Sequence, residues 1–278
     1  MKAKLLLTGA SGFIGSQIYN ALKNDFEVTA IASSPKHQEY TALNLLNEEA
    51  CRDFFKDKKF DLIIHAAAIA HGKNSFNTMS VADANILMTD NVFNFMDIKD
   101  SSVIYLSSVS VYSFKNNKEI ISVHDQPIPV TEYGISKLAC EKRIKNKAPK
   151  SLHILRLAPV YSRNNLIDLG KRVFLPIFKV PFVTTQERVY SLCSIDQVVS
   201  VVVNTSKLDG DSLVIVKDDK DYTQNDLLSF FDLEKPKIAI NRNFIKPLLW
   251  ILSLIPVSKA HIIRDMFNKL FYSVRYSN

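Results

Sequence analysis

The sequence predicts an α/β protein built on a parallel, doubly wound sheet, with a smaller α/β region towards the C-terminus. Apolar segments of strand length alternate with segments of helix length through the first 160 residues, as strand–helix–strand units do. A glycine-rich turn joins the first strand to the first helix. Beyond Pro159 the alternation loosens. We therefore expect one domain over residues 1–160 and a smaller region over 161–278, partly interleaved with the first.

The first strand and the turn after it carry the strongest local pattern. The short apolar run at 5–7 and Thr8 lead into Gly9, and Gly12 and Gly15 follow at intervals of three. Apolar residues then recur at helical spacing over 13–22. Gly9 is expected to make the turn, Gly12 to let backbone N–H groups approach a pyrophosphate, and Gly15 to let the helix pack closely. The positive end of the helix then faces the phosphates. An ordinary strand–helix connection is the alternative, and the position directly after an apolar strand favours a dinucleotide site.

The other elements follow from apolar runs and helical periodicity. In the first part we predict strands at 27–32, 40–43, 60–65, 102–108 and 152–157, and helices at 47–55, 79–97 and 131–147. In the second part we predict strands at 190–195 and 213–216, and helices at 196–206 and 223–231.

Composition, net charge and cysteine spacing limit what kind of protein this is and which ligands it is expected to bind. The chain has 278 residues, is 47% hydrophobic and carries a net charge of +7, which suits a globular protein with an anionic ligand. Its basic residues are scattered, so a nucleic-acid partner is not expected. Cys51, Cys140 and Cys193 are far apart, which indicates no disulfide framework, no metal site and a cytoplasmic location.

The apolar, basic segment 244–272 is read as a helix-packing surface. Peripheral membrane contact stays open as an alternative because lysines and an arginine flank its apolar runs. These basic residues are Lys246, Lys259, Arg264 and Lys269.

Tyr133 and Lys137 lie one helical turn apart on one face of a predicted helix. A lysine ammonium near a tyrosine lowers the pKa of the phenol and equips it for proton transfer at a carbinol oxygen. Ser108 ends the preceding strand, where its hydroxyl could bond the same oxygen. Parallel sheets bind ligands at the carboxyl ends of their strands. Four residues are predicted at such ends, namely Gly9, Ala66, Ser108 and Pro159.

Together these motifs resemble the extended short-chain dehydrogenase/reductases, the epimerase/dehydratase group that acts on nucleotide sugars. The resemblance is carried by TGASGFIG at 8–15, DLIIHAAA at 61–68, VIYLSSVSVYS at 103–113 and YGISK at 133–137. It implies a Rossmann-type dinucleotide-binding domain followed by a substrate-binding region. By resemblance Tyr133 is the catalytic acid/base, Lys137 its modulator and ribose ligand, and Ser108 the hydroxyl beside the substrate. Asn85 stands where the family often places a helix asparagine, either in a proton relay or as a buried cap.

The resemblance also implies which residues contact the cofactor. These are Gly9, Ser11, Gly12, Phe13, Ile14, Gly15, Ser33, Ser34, Lys36, Asn44, Leu45, Ala66, Ala67, Ala68, Ser107, Tyr133, Lys137 and Pro159. NAD-preferring members carry an acid at the end of the second strand. Hydroxyls and a lysine stand there instead in this chain, which favours NADP over NAD.

Substrate contacts are expected from His71, Arg188 and Tyr190. Tyr190 occupies the position of the family's phosphate-binding arginine, and Arg188 could replace it, or could be a solvated surface residue. Val109 and Ser110 stand where sugar dehydratases have acids. A nucleotide-sugar 4-keto reductase is therefore favoured. A 4-epimerase that retains NAD, a reductase of another carbonyl compound and a non-catalytic regulator stay open, as does a homodimer through helices 79–97 and 131–147.

Overall fold

The computed structural model describes residues 2–34, 38–70, 79–113, 119–175, 178–234, 236, 238–247, 250–251 and 258–278. Its helices are α1 (Phe13–Leu22), α2 (Glu48–Phe55), α3 (Val81–Phe93), α4 (Glu132–Asn146), α5 (Ile167–Val173), α6 (Ile195–Thr205), α7 (Gln224–Ser229) and α8 (Ser258–Phe271). The strands of the first half are β1 (Lys4–Thr8), β2 (Glu27–Ala32), β3 (Thr41–Ala42), β4 (Leu62–His65), β5 (Ser102–Ser108), β6 (Ile120–Ser122) and β7 (Ser151–Leu157). Those of the second half are β8 (Val160–Tyr161), β9 (Val183–Thr184), β10 (Val189–Tyr190), β11 (Cys193–Ser194), β12 (Ser212–Val216), β13 (Tyr222–Thr223), β14 (Ala239–Ile240) and β15 (Arg275–Ser277).

A seven-stranded sheet in the order β12-β7-β5-β4-β1-β2-β3 confirms the predicted fold class. β1 pairs in parallel with β2 and with β4, and β4 pairs in parallel with β5. The chain thus builds outwards from β1 on one side and then returns to its other side. Ligands bind at such a reversal, outside the carboxyl ends of the strands. Thr8 lies opposite His65, and His65 opposite Tyr105, so these strands end side by side.

A continuous apolar core packs the helices against this sheet. It includes Leu6 and Ile63 of the strands, with Phe55, Val92 and Ile144 of helices α2, α3 and α4. Burial of large aliphatic and aromatic side chains of this kind supplies most of the favourable free energy of folding. The core fixes the strand ends on which the site residues stand.

The chain divides into two compact units, each of several segments. The first contains residues 1–110, 132–156 and 198–214, and the second contains 111–131, 157–197 and 215–278. Within the second unit, strands pair two by two, as β8 with β11, β9 with β14, β10 with β13 and β6 with β15. A smaller core of Phe182, Leu270 and Phe271 lies in this unit.

Two predicted elements differ from the structure. The strand expected over 190–195 is two short strands, because β10 pairs antiparallel with β13 whereas β11 pairs in parallel with β8. The helix expected over 79–97 ends at Phe93, where the backbone N–H of Asn94 caps it by donating to the carbonyl of Asp90. Within the described ranges, no helix combines the length and the apolar character needed to cross a bilayer.

Candidate active site

The turn between β1 and α1 has no room for a side chain at two of its three glycines. Gly9 adopts a φ of +72°, and a Cβ on it would lie 2.7 Å from the backbone nitrogen of Ala67. A Cβ on Gly15 would lie 2.8 Å from the carbonyl carbon of Gly9. Gly12 is less confined, since the only heavy atom that a Cβ there would approach is the carbonyl oxygen of Gly9, at a tight 3.2 Å. The turn therefore carries no side chain at Gly12, whose own backbone N–H donates to the Gly9 carbonyl at 3.0 Å.

The start of α1 is suited to an anion. Its N-cap is Gly12, which provides no side-chain cap, and its first turn contains no acid. The partial positive charge of a helix N-terminus is then available to a ligand. Phe13 and Ile14, both half-buried, open the helix. These features fit the pyrophosphate of a nicotinamide dinucleotide.

His65, which the sequence analysis did not single out, holds this turn in place. The hydroxyl of Thr89 donates to the carbonyl of Asn85 at 2.9 Å, so it accepts the bond from Nε2 of His65 at 3.1 Å. Nδ1 of His65 then accepts from the hydroxyl of Thr8 at 2.8 Å, and Thr8 in turn accepts from the backbone nitrogen of Ala67 at 3.3 Å. One neutral imidazole thus ties the end of β1 to the end of β4 and to α3.

Burial, reinforced by the nearby charge of Lys137, lowers the pKa of His65 to about 3. The imidazole is therefore uncharged at neutral pH, as the hydrogen-bond pattern requires. Its ring also stacks on Tyr105, with centroids 5.7 Å apart. These contacts give His65 a positioning role rather than a proton-transfer role.

The chain after β2 has two serine hydroxyls and one carboxylate that is already hydrogen-bonded. Ala32 is buried, and Ser33 and Ser34 after it are exposed. Glu39 is the only acid between residues 30 and 39, and it accepts a hydrogen bond of 2.8 Å from the hydroxyl of Tyr19. Burial and, to a smaller extent, this bond raise the pKa of Tyr19 to about 12.

The next predicted cofactor residues stand in the loop after β3. Asn44 is exposed and accepts a bond from the backbone nitrogen of Leu46 at 3.1 Å. Leu45 is buried, and its carbonyl accepts from the amide of Asn91 at 2.8 Å. Ser11 beside the glycine turn and the alanines 66–68 after β4 are half-buried. Lys36 and His71 lie outside the described residues.

Lys137 and Tyr133 meet at the carboxyl end of β5. The Lys137 ammonium donates to the carbonyl of Leu106 at 2.7 Å and lies 5.6 Å from the centroid of the Tyr133 ring. Ser108, two residues beyond Leu106, is half-buried, and its oxygen accepts from the backbone nitrogen of Ser110 at 3.1 Å. The three groups predicted for proton transfer therefore belong to the junction of β5 and α4 in one unit.

The charge of Lys137 is set by its surroundings. Its side chain is 3% exposed, and burial lowers its pKa to about 8, opposed by the charge of Glu141. Glu141 accepts a bond of 2.5 Å from Ser107 and forms a buried, two-pronged ion pair with Arg156, at 3.0 and 2.7 Å. The Ser107 side chain, predicted at the cofactor, is thus committed to this network.

Asn85 has all its side-chain groups in use. Its oxygen accepts from the backbone nitrogen of Ile69 at 2.7 Å, and its amide donates to the Ile69 carbonyl at 3.1 Å and to the Ser136 hydroxyl at 3.0 Å. Ser136 in turn donates to the carbonyl of Tyr133 at 2.8 Å. Asn85 therefore joins the loop after β4 to the first turn of α4.

Three predicted residues belong to the second unit. Arg188 is 1% exposed, so the alternative of a solvated surface arginine is wrong. Its guanidinium donates to the carbonyls of Leu270 and Arg172 and to the Gln224 side chain, and burial lowers its pKa. Tyr190 is fully buried, which raises its pKa.

Pro159, the third of these residues, lies two residues beyond the end of β7. Its carbonyl accepts from the backbone nitrogen of Cys193 at 3.0 Å. Within the described part of the chain, no group of three or more His, Cys, Asp or Glu side chains could hold a metal ion.

Comparison with known proteins gives one family match. A family model described as the NAD dependent epimerase/dehydratase family matches residues 5–177. Among curated proteins, the N-acetyl-alpha-D-glucosaminyl-diphospho-ditrans,octacis-undecaprenol 4-epimerase of Escherichia coli O157:H7 is 30% identical over 185 residues, which cover 62% of this chain and 54% of that protein. The GDP-6-deoxy-D-talose 4-dehydrogenase of Aggregatibacter actinomycetemcomitans is 25% identical, over 70% of this chain and 64% of that protein.

Solved structures share the fold. The crystal structure of ADP-L-glycero-D-manno-heptose-6-epimerase from Helicobacter pylori superposes with a TM-score of 0.67, at 19% identity and with 96% of both chains covered. The alignments with the two curated relatives span only about half to two thirds of those proteins.

Proposed function

The chain belongs to the NAD-dependent epimerase/dehydratase family, and from that premise we propose that it is an oxidoreductase of a nucleotide-linked sugar. Reduction of a 4-keto group is the reaction proposed. The observation that carries it is the buried Lys137 ammonium, held by the Leu106 carbonyl 5.6 Å from the centre of the Tyr133 ring. A fixed positive charge beside a phenol favours the phenolate and so equips the phenol for proton transfer at a carbinol oxygen.

The residues divide the work between binding and proton transfer. The backbone at Gly12 and the start of α1 would hold the pyrophosphate of the dinucleotide. When bound, that cofactor supplies hydride transfer. Tyr133 would donate the proton that the carbonyl oxygen gains on reduction, and Ser108 would hydrogen-bond the same oxygen. Lys137 stabilises the tyrosinate left behind, because its charge cannot move away from the Leu106 carbonyl without leaving a buried cation unpaired.

The segment after Ser108 supports reduction over dehydration. Val109 is buried and apolar, and Ser110 uses its backbone nitrogen to bond the Ser108 oxygen. Neither side chain can serve as the carboxylic acid or carboxylate that elimination of water requires.

NADP is the proposed cofactor. A carboxylate selects NAD by accepting bonds from the ribose hydroxyls. Glu39 is the only acid between residues 30 and 39, and Tyr19 already donates to it. Ser33 and Ser34 are exposed donors that suit a 2′-phosphate. Lys36 adds a positive charge to the sequence of this loop.

A 4-epimerase that retains NAD is the second candidate. It is favoured by the similarity to the Escherichia coli protein, which is named as a 4-epimerase of a diphosphate-linked sugar. Both reactions use the same Tyr133 and Lys137. They differ in whether the reduced cofactor is consumed.

Tyr133→Phe tests the proton-transfer role. We expect kcat to fall by about 10²–10⁴, the usual contribution of a general acid–base group, with the Kd for NADPH changed less than twofold. Tyr272→Phe, which removes a hydroxyl from a ring stacked under Arg242, is the matched control and should keep full activity. A Tyr133→Phe enzyme with most of its kcat would contradict the assignment.

A ligand panel separates the two candidates. NAD, NADP and UDP-, dTDP- and GDP-linked sugars are compared by thermal shift, since a ligand at 100 times its Kd stabilises by about 2.7 kcal/mol. The reductase should then oxidise stoichiometric NADPH with a 4-keto sugar, followed at 340 nm. Interconversion of two sugar epimers without net NADPH consumption would favour the epimerase.

A further inference from the structure

Positive charge is concentrated at one end of the chain. Residues 236–278 contain seven Lys and Arg residues and a single acid, Asp265, which accounts for six of the seven net charges of the protein. Asp265 is itself buried and ion-paired with Lys269 at 2.6 Å. Asp265 thus neutralises Lys269, and Glu119, from outside the segment, pairs with Arg275 at 3.4 Å. The excess positive charge of the segment lies on its other basic residues.

Helix α8 in this segment turns apolar side chains to the solvent. Ile262, Ile263 and Met266 are exposed, whereas Asp265 and Asn268 are buried. A helix that packs only on its own protein buries its apolar face and exposes its polar one. Helix α8 does bury Ala260, Leu270 and Phe271 on its inner side. Ile262, Ile263 and Met266 therefore form a second apolar face, which is available to another apolar phase.

The residues before α8 also include exposed apolar side chains. Phe244 is 81% exposed and Trp250 is 65% exposed, and Ile251 is exposed as well. Ile245, next to Phe244, packs on the same small core as Leu270 of α8. Both segments are thus anchored to one core while their neighbouring side chains face outwards. We call Phe244, Trp250, Ile251, Ile262, Ile263 and Met266 the apolar surface.

We propose that the apolar surface binds the interface of an anionic lipid bilayer. Exposed Trp and Phe with aliphatic neighbours and a basic surround are the composition of interfacial anchors. Anionic lipids attract such basic segments by about 1 kcal/mol per Lys or Arg, which is about a fivefold change in affinity. Lys246 is exposed beside Phe244 and would face the headgroups.

A second copy of the chain fits this surface less well. In a two-fold dimer the same patch meets itself, so the exposed Lys246 beside it would be brought towards the same positive charge on the second copy. Anionic lipid neutralises that charge. The proposal is independent of the reaction catalysed and of the identity of the sugar.

Trp250 is the only tryptophan of the chain, so intrinsic fluorescence reports on this surface directly. The whole protein is titrated with vesicles of phosphatidylcholine alone and of phosphatidylcholine with phosphatidylglycerol at 3:1. We expect a blue shift of emission, quenching by brominated lipid and flotation with the anionic vesicles only, all reduced by salt.

Variants separate the contribution of positive charge to vesicle binding from that of the apolar side chains. Lys246→Glu changes two charges and should weaken binding to anionic vesicles about 25-fold. Ile262→Ser combined with Met266→Ser should weaken it at least tenfold. Lys207→Glu and Ile167→Ser alter an exposed lysine and an exposed isoleucine elsewhere and should change binding less than twofold.

Two results would overturn the proposal. The first is an unchanged Trp250 emission with no flotation at any lipid concentration. The second is a concentration-dependent dimer that Met266→Glu dissociates, which would assign the surface to a second copy. Because all substituted side chains are exposed, thermal melting of each variant should match that of the wild type and so exclude misfolding as the cause.

Discussion

Gly12 and Gly15 stand in the same turn but should respond to alanine in opposite ways. Gly12 has φ −74° and ψ 167°, which any L-residue adopts, and an added Cβ meets one carbonyl oxygen at 3.2 Å. We expect Gly12→Ala to change the free energy of unfolding by less than about 1 kcal/mol, the scale of a change at a helix N-cap. The protein should therefore fold and keep its melting temperature.

Gly15→Ala forces a carbon against the backbone of Gly9. That backbone cannot yield, because Gly9 itself is packed on Ala67. Overpacking of this kind costs up to about 3 kcal/mol. In a protein of this size that corresponds to a drop of about 6–12 °C in melting temperature.

Gly12→Ala, which should leave stability nearly unchanged, should weaken NADPH binding. The added methyl at Gly12 would stand where the pyrophosphate is proposed to meet the start of α1. Loss of one charge-assisted hydrogen bond costs about 1.5–3 kcal/mol, so Kd should rise about 10–150-fold. Fluorescence titration of NADPH and differential scanning calorimetry measure the two effects on both variants. Unchanged NADPH binding by folded Gly12→Ala would refute the placement of the pyrophosphate, and a wild-type melting temperature for Gly15→Ala would refute the packing argument.

Three further predictions concern charge. The Lys137 pKa of about 8 lies below the ordinary 10.5, so between these pH values the folded state binds fewer protons than the unfolded state. The free energy of unfolding should therefore rise with pH between about 8 and 10.5, and this rise should be absent in Lys137→Met. Urea unfolding at several pH values measures it. Wild type should bind NADPH more tightly than NADH, and Ala32→Asp should reverse the order of the two Kd values, because a carboxylate repels the 2′-phosphate. Glu141→Gln leaves buried Arg156 without its counter-charge and should cost about 3–5 kcal/mol in urea unfolding, so a loss below about 1 kcal/mol would contradict the importance of that pair.

Most of the sheet and the glycine turn could be predicted from local sequence patterns. The three glycines, the run ending at His65 and the run ending at Ser108 each act within a few residues, so strand ends could be placed from the sequence. The role of His65 could not be, since its partners Thr8 and Thr89 lie 57 and 24 residues away. One signal was present, because His65 is the only polar residue of a fully buried strand.

The second unit was harder to predict because its structure depends on contacts between residues that are far apart in the sequence. Arg188 reads as a surface residue until Leu270, 82 residues later, supplies its carbonyl partner. The segment 190–195 has the pattern of a single strand in sequence, yet its two ends pair with strands from different parts of the chain. Short strands of two residues carry too little pattern to be recognised locally.

The segmented make-up of the first unit has a consequence for biosynthesis. Its sheet takes its last strand, β12, from residues 212–216, far beyond the point where the alternating pattern ends. While the ribosome is still extending the chain towards that strand, the edge of β7 has bare backbone donors and acceptors, and every β7 residue is destined for the interior. Such an edge recruits other strands. A fragment that stops near residue 160 should accordingly be recovered as aggregate, whereas one that reaches residue 216 has the means to close its own sheet.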